Sequence, residues 1–374
     1  SPEHRQLARQ ASCESMVLLK NEKNFLPIDK SKLKSIAVIG PYADVLCLGN
    51  YSGKPSRGIT ILDGIKNKVG GSADIKYAIG CPIGKMQTIE PKYLRTEDGQ
   101  TGLKGEYFDN SNFEGKPKLV RVDEKIEFNW GDKAPVADFP KDYYTVRWTG
   151  KLISPSTGRF KISGASDDGI KVYINDKKII DNWIERAFIA DIVDIELVKG
   201  QEYSIKVEYF EKEKDAAITL GWTAGMDTDV EIARAAEIAS ETDIAIVVLG
   251  LDDTFENEEH DRTNLDLPKN QNQLIEAVYK ANPQTAVVLV NGSALTINWI
   301  NDNVQAILEA WYCGEEGGNA AADVLFGDYN PSGRLPLTFY ASMEQLPAFD
   351  DYDIRKGRTY MYLKDKPLYA FGYG

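Results

Sequence analysis

ETDIAIVVLG, residues 241–250, decides how this chain is read. After Asp243 it runs from Ile244 to Leu249 without a polar residue and stops at Gly250. A continuous apolar run of that length predicts a strand buried on both faces, as in a parallel sheet covered by helices. The opposite texture follows at once. FENEEHDR, residues 255–262, sets Glu256, Glu258, Glu259 and Asp261 close together in the loop that leaves the strand end. In an open α/β sheet, ligands bind outside the carboxyl ends of the strands, so this acidic loop stands where chemistry is expected.

The same grammar continues on both sides. Leu7, Ala8, Ala11, Ser15, Leu18 and Leu19 recur at helical spacing, predicting an N-terminal amphipathic helix that KNEKNFLPID (20–29) breaks. SIAVIG (35–40) and ADIKYAIG (73–80) read as strands around a helix at TILDGIKNKVG (60–70). Beyond Trp222 the pattern returns: EIARAAEIASET and KNQNQLIEAVYKANP as helices, TAVVLVNG and AILEAWYCG as strands, GGNAAADVLFG as a helix opened by glycines. Between these stretches the texture changes. YYTVRWTGKL, GRFKISG, GIKVYIND and QEYSIKVEYF are short, aromatic-rich strands separated by Gly, Asp and Asn turns, the pattern of an antiparallel β-sandwich. The expected architecture is a three-layer α/β/α sandwich of flavodoxin-like type, built from 1–92 and 226–374, with a β-sandwich inserted at 96–225. Exposed loops accept such insertions because few core contacts cross them.

Composition removes several functions. The 374 residues carry a net charge of -13, against the basic footprint that nucleic acid requires. No run approaches the apolar length of a membrane span. Cys13, Cys47, Cys81 and Cys313 lack metal-ligand spacing, and two histidines, His4 and His260, are too few for a histidine metal site or a Ser-His-Asp triad. A phosphate loop at GEEGG (314–318) is disfavoured by Glu315 and Glu316, which would repel the anion. The acidic loop is therefore read as a source of proton transfer. A hard cation suits it less well, because FENEEHDR has no glycine and includes Arg262. Asp261 and Arg262 are expected to pair and position the loop, leaving Glu258 or Glu256 to face a substrate.

The stretch from GLDDTFENEEHDR through LDLPKNQNQLIEAVYKANPQTAVVLVNGSAL resembles the C-terminal α/β sandwich domain of glycoside hydrolase family 3, whose loop has the form E-x-E-G-x-D-R followed by L-x-L-P and a Q-x-x-L-I helix. SPEHRQLARQASCESMVLLKNEKNFLPI, AWYCGEEGGNAAADVLFGDYNPSGRLPLTF and PLYAFGYG are similar to further blocks of that family in the same order. Glu259 stands where the family has glycine. The resemblance implies a retaining exo-acting β-glycosidase, a β-glucosidase or β-xylosidase, with carboxyl groups about 5–5.5 Å apart. One would be Glu258 as general acid/base, with Glu256 the alternate; Glu256 and Glu259 nearby would favour its protonated form. The nucleophilic aspartate would lie on an N-terminal barrel of the same polypeptide, so the chain is expected to be the C-terminal part of a larger hydrolase, inactive alone. The implied substrate is a small oligosaccharide or an aryl glycoside, without cofactor or metal, and self-association is left open.

The inserted segment resembles the protective-antigen-like β-sandwich, through GLKGEYFDN, YYTVRWTG, SDDGIKVYIND and YSIKVEYFE. In adhesin versions of that module two adjacent aspartates hold a sugar-binding calcium, and Asp167 and Asp168 match those positions. They are expected to be structural turn residues here. A sugar contact through Asp167, Asp168 and Trp183, with Trp148 and Tyr173 as further stacking candidates, would belong to the competing reading, a carbohydrate-binding or adhesion module acting through the sandwich.

Overall fold

The structure is a computed structural model that describes all residues except 50–51, 54, 83–85, 224–227, 259–261 and 357–359, and of Tyr360 only the backbone. The chain forms two compact units, one from residues 1–83 and 228–374 and one from residues 84–227.

The first unit is built on a six-stranded sheet. Its strands stand in the order Val17–Asn21, Ala306–Glu309, Thr285–Val290, Ile244–Gly250, Ser35–Ile39 and Asp74–Ala78. All neighbours are parallel except Val17–Asn21, which runs antiparallel to Ala306–Glu309 at one edge. Alternate side chains of each strand enter opposite layers. Ala37, Ile39, Val247 and Leu249 pack under α3 (Thr228–Ser240) and α4 (Lys269–Ala281), whereas Ile36, Val38, Ile246 and Val248 pack under α2 (Ile61–Val69) and α6 (Gly317–Phe326). The three-layer α/β/α sandwich expected from the sequence is thus the observed fold. α2 and α6 cross closely: a methyl group on Gly64 would fall 1.9 Å from the Gly318 carbonyl oxygen.

Two local differences from the sequence reading have clear causes. The N-terminal helix α1 (Pro2–Ser15) ends before Leu18 and Leu19, because Met16 turns extended and Val17–Asn21 joins the sheet instead. A short helix, α5 (Asn298–Asn303), also escaped the periodicity; it is a turn and a half long, with Ile300 in the core and half-buried Trp299 packed against it.

The second unit consists of two antiparallel sheets. One runs 189–197, 158–167, 216–222, 87–88, with 127–131 also on 216–222; the other runs 177–182, 169–174, 202–211, 144–153, 103–108, 119–123, with 94–95 also on 144–153. Trp148, Tyr107, Tyr144, Tyr209 and Phe160 fill the space between them. Trp148 is fully buried and donates through Nε1 to Asp123 Oδ2 at 2.7 Å, so it is core and not a sugar platform. The first boundary falls earlier than residue 92, because Gln87–Thr88 pairs with Gly221–Trp222 and Leu94–Arg95 with Lys151–Leu152.

Candidate active site

From the pair Ser35–Ile39 and Ile244–Gly250 the chain proceeds outward in opposite directions across the sheet. Doubly wound sheets open a crevice at that switch point, at the carboxyl ends of the strands. The acidic loop starts there. Gly250 has φ +153°, and a Cβ on it would lie 1.8 Å from the Val290 carbonyl oxygen, so only glycine fits. Gln271, 2% exposed on α4, accepts from Gly250 N through Oε1 and donates to Gly250 O through Nε2, both at 2.8 Å. This is the glutamine of the Q-x-x-L-I segment, and it holds the strand end in place of a neighbouring strand.

The loop then makes one tight turn. Asp252 Oδ1 accepts from Thr254 N at 3.0 Å and Thr254 Oγ1 at 2.5 Å, while the Asp252 carbonyl accepts from Glu256 N at 2.9 Å. Glu256 points back to the sheet. Its Oε2 accepts from Gly292 N at 2.6 Å and from the Tyr312 hydroxyl at 2.5 Å, and its Oε1 accepts from Ser293 Oγ. The Tyr312 phenol also lies 3.1 Å from the Leu251 carbonyl; burial and the adjacent Glu256 push its pKa up, so the proton stays on Tyr312. Below these groups, the fully buried Glu309 accepts from Trp311 N at 3.1 Å and Asn291 Nδ2 at 3.2 Å. Burial raises its carboxyl well above the ordinary range.

Glu258, two residues beyond Glu256, is exposed. Asp261 and Glu259 lie outside the described residues, and with them the expected Asp261–Arg262 pair. Arg262 donates from Nη2 to the Ala294 carbonyl at 2.7 Å, tying the far end of the loop to the segment after Thr285–Val290. Burial lowers its pKa, an effect that nearby Glu256 opposes.

The candidate residues of the insert divide differently. Asp168 is 2% exposed; its Oδ1 accepts from Arg186 N at 3.0 Å and its Oδ2 from Lys212 N at 2.9 Å, so it ties two loops together. Asp167, Asp168 and Glu211 bring carboxylate oxygens within 4.8 Å of one another, the one group among the described residues able to hold a metal ion. Burial raises the pKa of all three, Glu211 to about 8. Arg186 lies on the same cluster, donating to the Asp168 carbonyl and to Ser166 Oγ. Trp183 packs elsewhere, against Phe210 with centroids 4.8 Å apart, and Lys171 Nζ stands 4.1 Å over its ring. Lys206 Nζ covers Tyr173 in the same way at 3.9 Å.

Sequence reasoning missed Gln271, Ser293, Glu309, Tyr312 and Glu211. The first four stand at or against carboxyl ends of central strands, so polar residues directly after each predicted strand were the available signal. Glu211 carried none.

The chain resembles known proteins along nearly its whole length. Residues 16–374 match the family model described as the glycosyl hydrolase family 3 C-terminal domain. A xylan 1,4-β-xylosidase of Xylanibacter ruminicola is 36% identical over 391 residues, covering 96% of this chain and 43% of the relative. A probable β-glucosidase K of Emericella nidulans is 31% identical, covering 100% and 49%. Among solved structures, a β-glucosidase from Kluyveromyces marxianus in complex with glucose superposes with a TM-score of 0.74 at 29% identity, covering 100% of this chain and 49% of the other. The chain spans about half the length of the curated relatives it matches.

Proposed function

The chain belongs to glycoside hydrolase family 3 through its C-terminal domain, and from that premise we propose that it is the acid/base half of a retaining exo-acting β-glycosidase. Glu258 protonates the leaving oxygen as the first glycosidic bond breaks and then, as a carboxylate, takes a proton from the water that releases the sugar. The nucleophile comes from a barrel of the same polypeptide, outside this sequence. The substrate is a terminal β-linked sugar of a small oligosaccharide or aryl glycoside, glucosyl or xylosyl.

The observation that carries the reading is the sorting of two neighbouring acids at the switch point of the sheet. Glu256 is turned inward onto three donors, and Glu258, two residues further on, is exposed. The sandwich-lectin alternative is not favoured, because Asp168 is buried and Trp183 is covered by Lys171.

The test uses the longer enzyme that contains this chain. Glu258→Ala should slow methyl or phenyl β-glycosides far more than 2,4-dinitrophenyl β-glycosides, and azide should restore part of the activity on the activated substrate. Equal losses on both substrates, with no azide effect, would remove Glu258 from the role.

A further inference from the structure

We infer that Glu256, Ser293 and Tyr312 are positioning residues, a clamp that sets where Glu258 stands; this rests on the reading of Glu258 given above. Three strand ends meet in one carboxylate. Glu256 leaves the end of Ile244–Gly250, Gly292 N and Ser293 Oγ come from just beyond Thr285–Val290, and the Tyr312 hydroxyl comes from just beyond Ala306–Glu309. Both oxygens of Glu256 are engaged as acceptors. That is the arrangement of an anchor, and it leaves neither oxygen turned toward a leaving group.

The parts that receive Glu256 are themselves braced. Glu309 joins them from below, accepting from Asn291 Nδ2 and Trp311 N, and Asn291 Nδ2 also donates to the Ser293 carbonyl at 2.9 Å. Little slack remains: a methyl group on Gly292 would lie 3.0 Å from the Tyr312 ring and 3.3 Å from Glu256 Oε2. On the loop side, Asp252 closes the turn that carries Glu256, so the anchor is fixed from both directions. Glu258 follows the anchor by two residues, so a displacement of Glu256 is passed directly to it. A catalytic group must be held within about 0.5 Å of its productive place, and a misplacement of about 1 Å can lower turnover about 100-fold.

The experiment compares Glu256→Gln, Tyr312→Phe and Glu258→Ala in the longer enzyme, on a phenyl and a 2,4-dinitrophenyl β-glycoside of the sugar it accepts. The clamp predicts that Glu256→Gln lowers kcat on the phenyl substrate about 10- to 100-fold, with KM little changed. Tyr312→Phe, which removes a single donor, should lower it less, while the dinitrophenyl substrate is spared in both. The basic limb of the kcat–pH profile should shift in both variants, because Glu258 stays present in a changed setting, and azide should rescue neither. Azide rescue of Glu256→Gln would make Glu256 the acid/base and overturn both the clamp and the Glu258 assignment. If Glu258→Ala behaves as proposed, the clamp alone is overturned when Tyr312→Phe keeps wild-type kcat and pH profile, or loses activity equally on both substrates. Tyr312→Phe preserves shape, so this second outcome can be read even if Glu256→Gln does not fold.

Discussion

The acidic loop of the α/β unit and the acidic cluster of the insert handle the same problem differently. Each begins from acids close in sequence, Glu256 with Glu258 and Asp167 with Asp168, and each turns one of them inward as a tie. Glu256 receives three donors from two neighbouring strand ends, and Asp168 receives two backbone amides from two loops. They differ in what surrounds the tie. In contact with Glu256 stand a phenol, a hydroxyl and a peptide N–H, all donors, and the buried acid below them, Glu309, has a donor on each oxygen, Asn291 Nδ2 and Trp311 N. Beside Asp168 stands a third acid, Glu211, whose Oε2 accepts from the Tyr209 hydroxyl at 2.8 Å while its buried Oε1 has no hydrogen-bond partner among the described residues. A tied acid with donors all round is an anchor beside which another acid can be used. A tied acid beside an acid whose buried oxygen lacks a donor is a local electrostatic load, which argues for structure and against sugar chemistry in the insert as it stands.

The sharpest way to break this contrast is functional. In the longer enzyme, Glu258→Ala should lower kcat/KM on unactivated glycosides by about 10²–10⁴-fold, the range for losing a general acid, whereas Asp167→Ala should leave kinetics near wild type. A large loss from Asp167→Ala, measured on the same substrates, would put chemistry in the insert after all. A smaller effect concerns stability. The α/β unit also buries an acid away from its acidic loop: Asp323 on α6 accepts from Arg9 Nε at 2.6 Å and Nη2 at 2.7 Å, and from Lys68 Nζ. Burial alone would raise this carboxyl, but Arg9 and Lys68 outweigh it and hold it below the ordinary range. Its contribution is therefore complete above pH 3.8 and is lost as pH falls through the lowered value. Asp323→Ala should destabilise the unit by about 2 kcal/mol at neutral pH, since half-exposed Arg9 loses its carboxylate and Lys68 keeps only Asp328, and the gap to wild type should close in strong acid. Urea unfolding at several pH values measures both.

Much of this is legible in the sequence. The central strand Ile244–Gly250, helices α2, α3, α4 and α6, the parallel pairing and the inserted sandwich all follow from local periodicity and turn residues. What was hidden is non-local. Leu18 and Leu19 continue the helical spacing of α1, and only the partner strand Ala306–Glu309, almost 300 residues on, draws them into the sheet. The insert's first strand, Gln87–Thr88, is two residues long and gains its identity from Gly221–Trp222. The loop showed four acids in a row of six positions, but not which one turns inward. That choice is made by Gly292, Ser293 and Tyr312, which are 36, 37 and 56 residues further along the chain. Glu211 joins Asp167 and Asp168 only because its strand, Glu202–Glu211, runs antiparallel beside Gly169–Ile174 and brings its last residue back to the turn between them.

The smallest expected effect tests the load on the insert most directly. Glu211 is fully buried, and burial pushes its carboxyl up to about 8, with Asp168, Asp167 and Asp142 adding in the same direction and the Tyr209 hydroxyl opposing them. The sign follows from the two protonation states. A carboxyl whose folded pKa lies above its unfolded value of 4.5 contributes fully below that value, and its contribution is lost as pH rises through about 8. The insert should therefore weaken between pH 5 and pH 9 in wild type. Glu211→Gln removes the charge and keeps the shape, and its amide can donate to the neighbouring carboxylates. We expect this variant to gain about 1–2 kcal/mol over wild type at pH 9, the usual worth of relieving one buried unpaired polar group, and to gain nothing at pH 4. Hydrogen exchange at the amides of Glu202–Glu211 reads the insert separately from the α/β unit. Equal protection of wild type and variant at pH 9 would mean that the cluster carries no load, and the contrast between the two acidic regions would then rest on Glu256 alone.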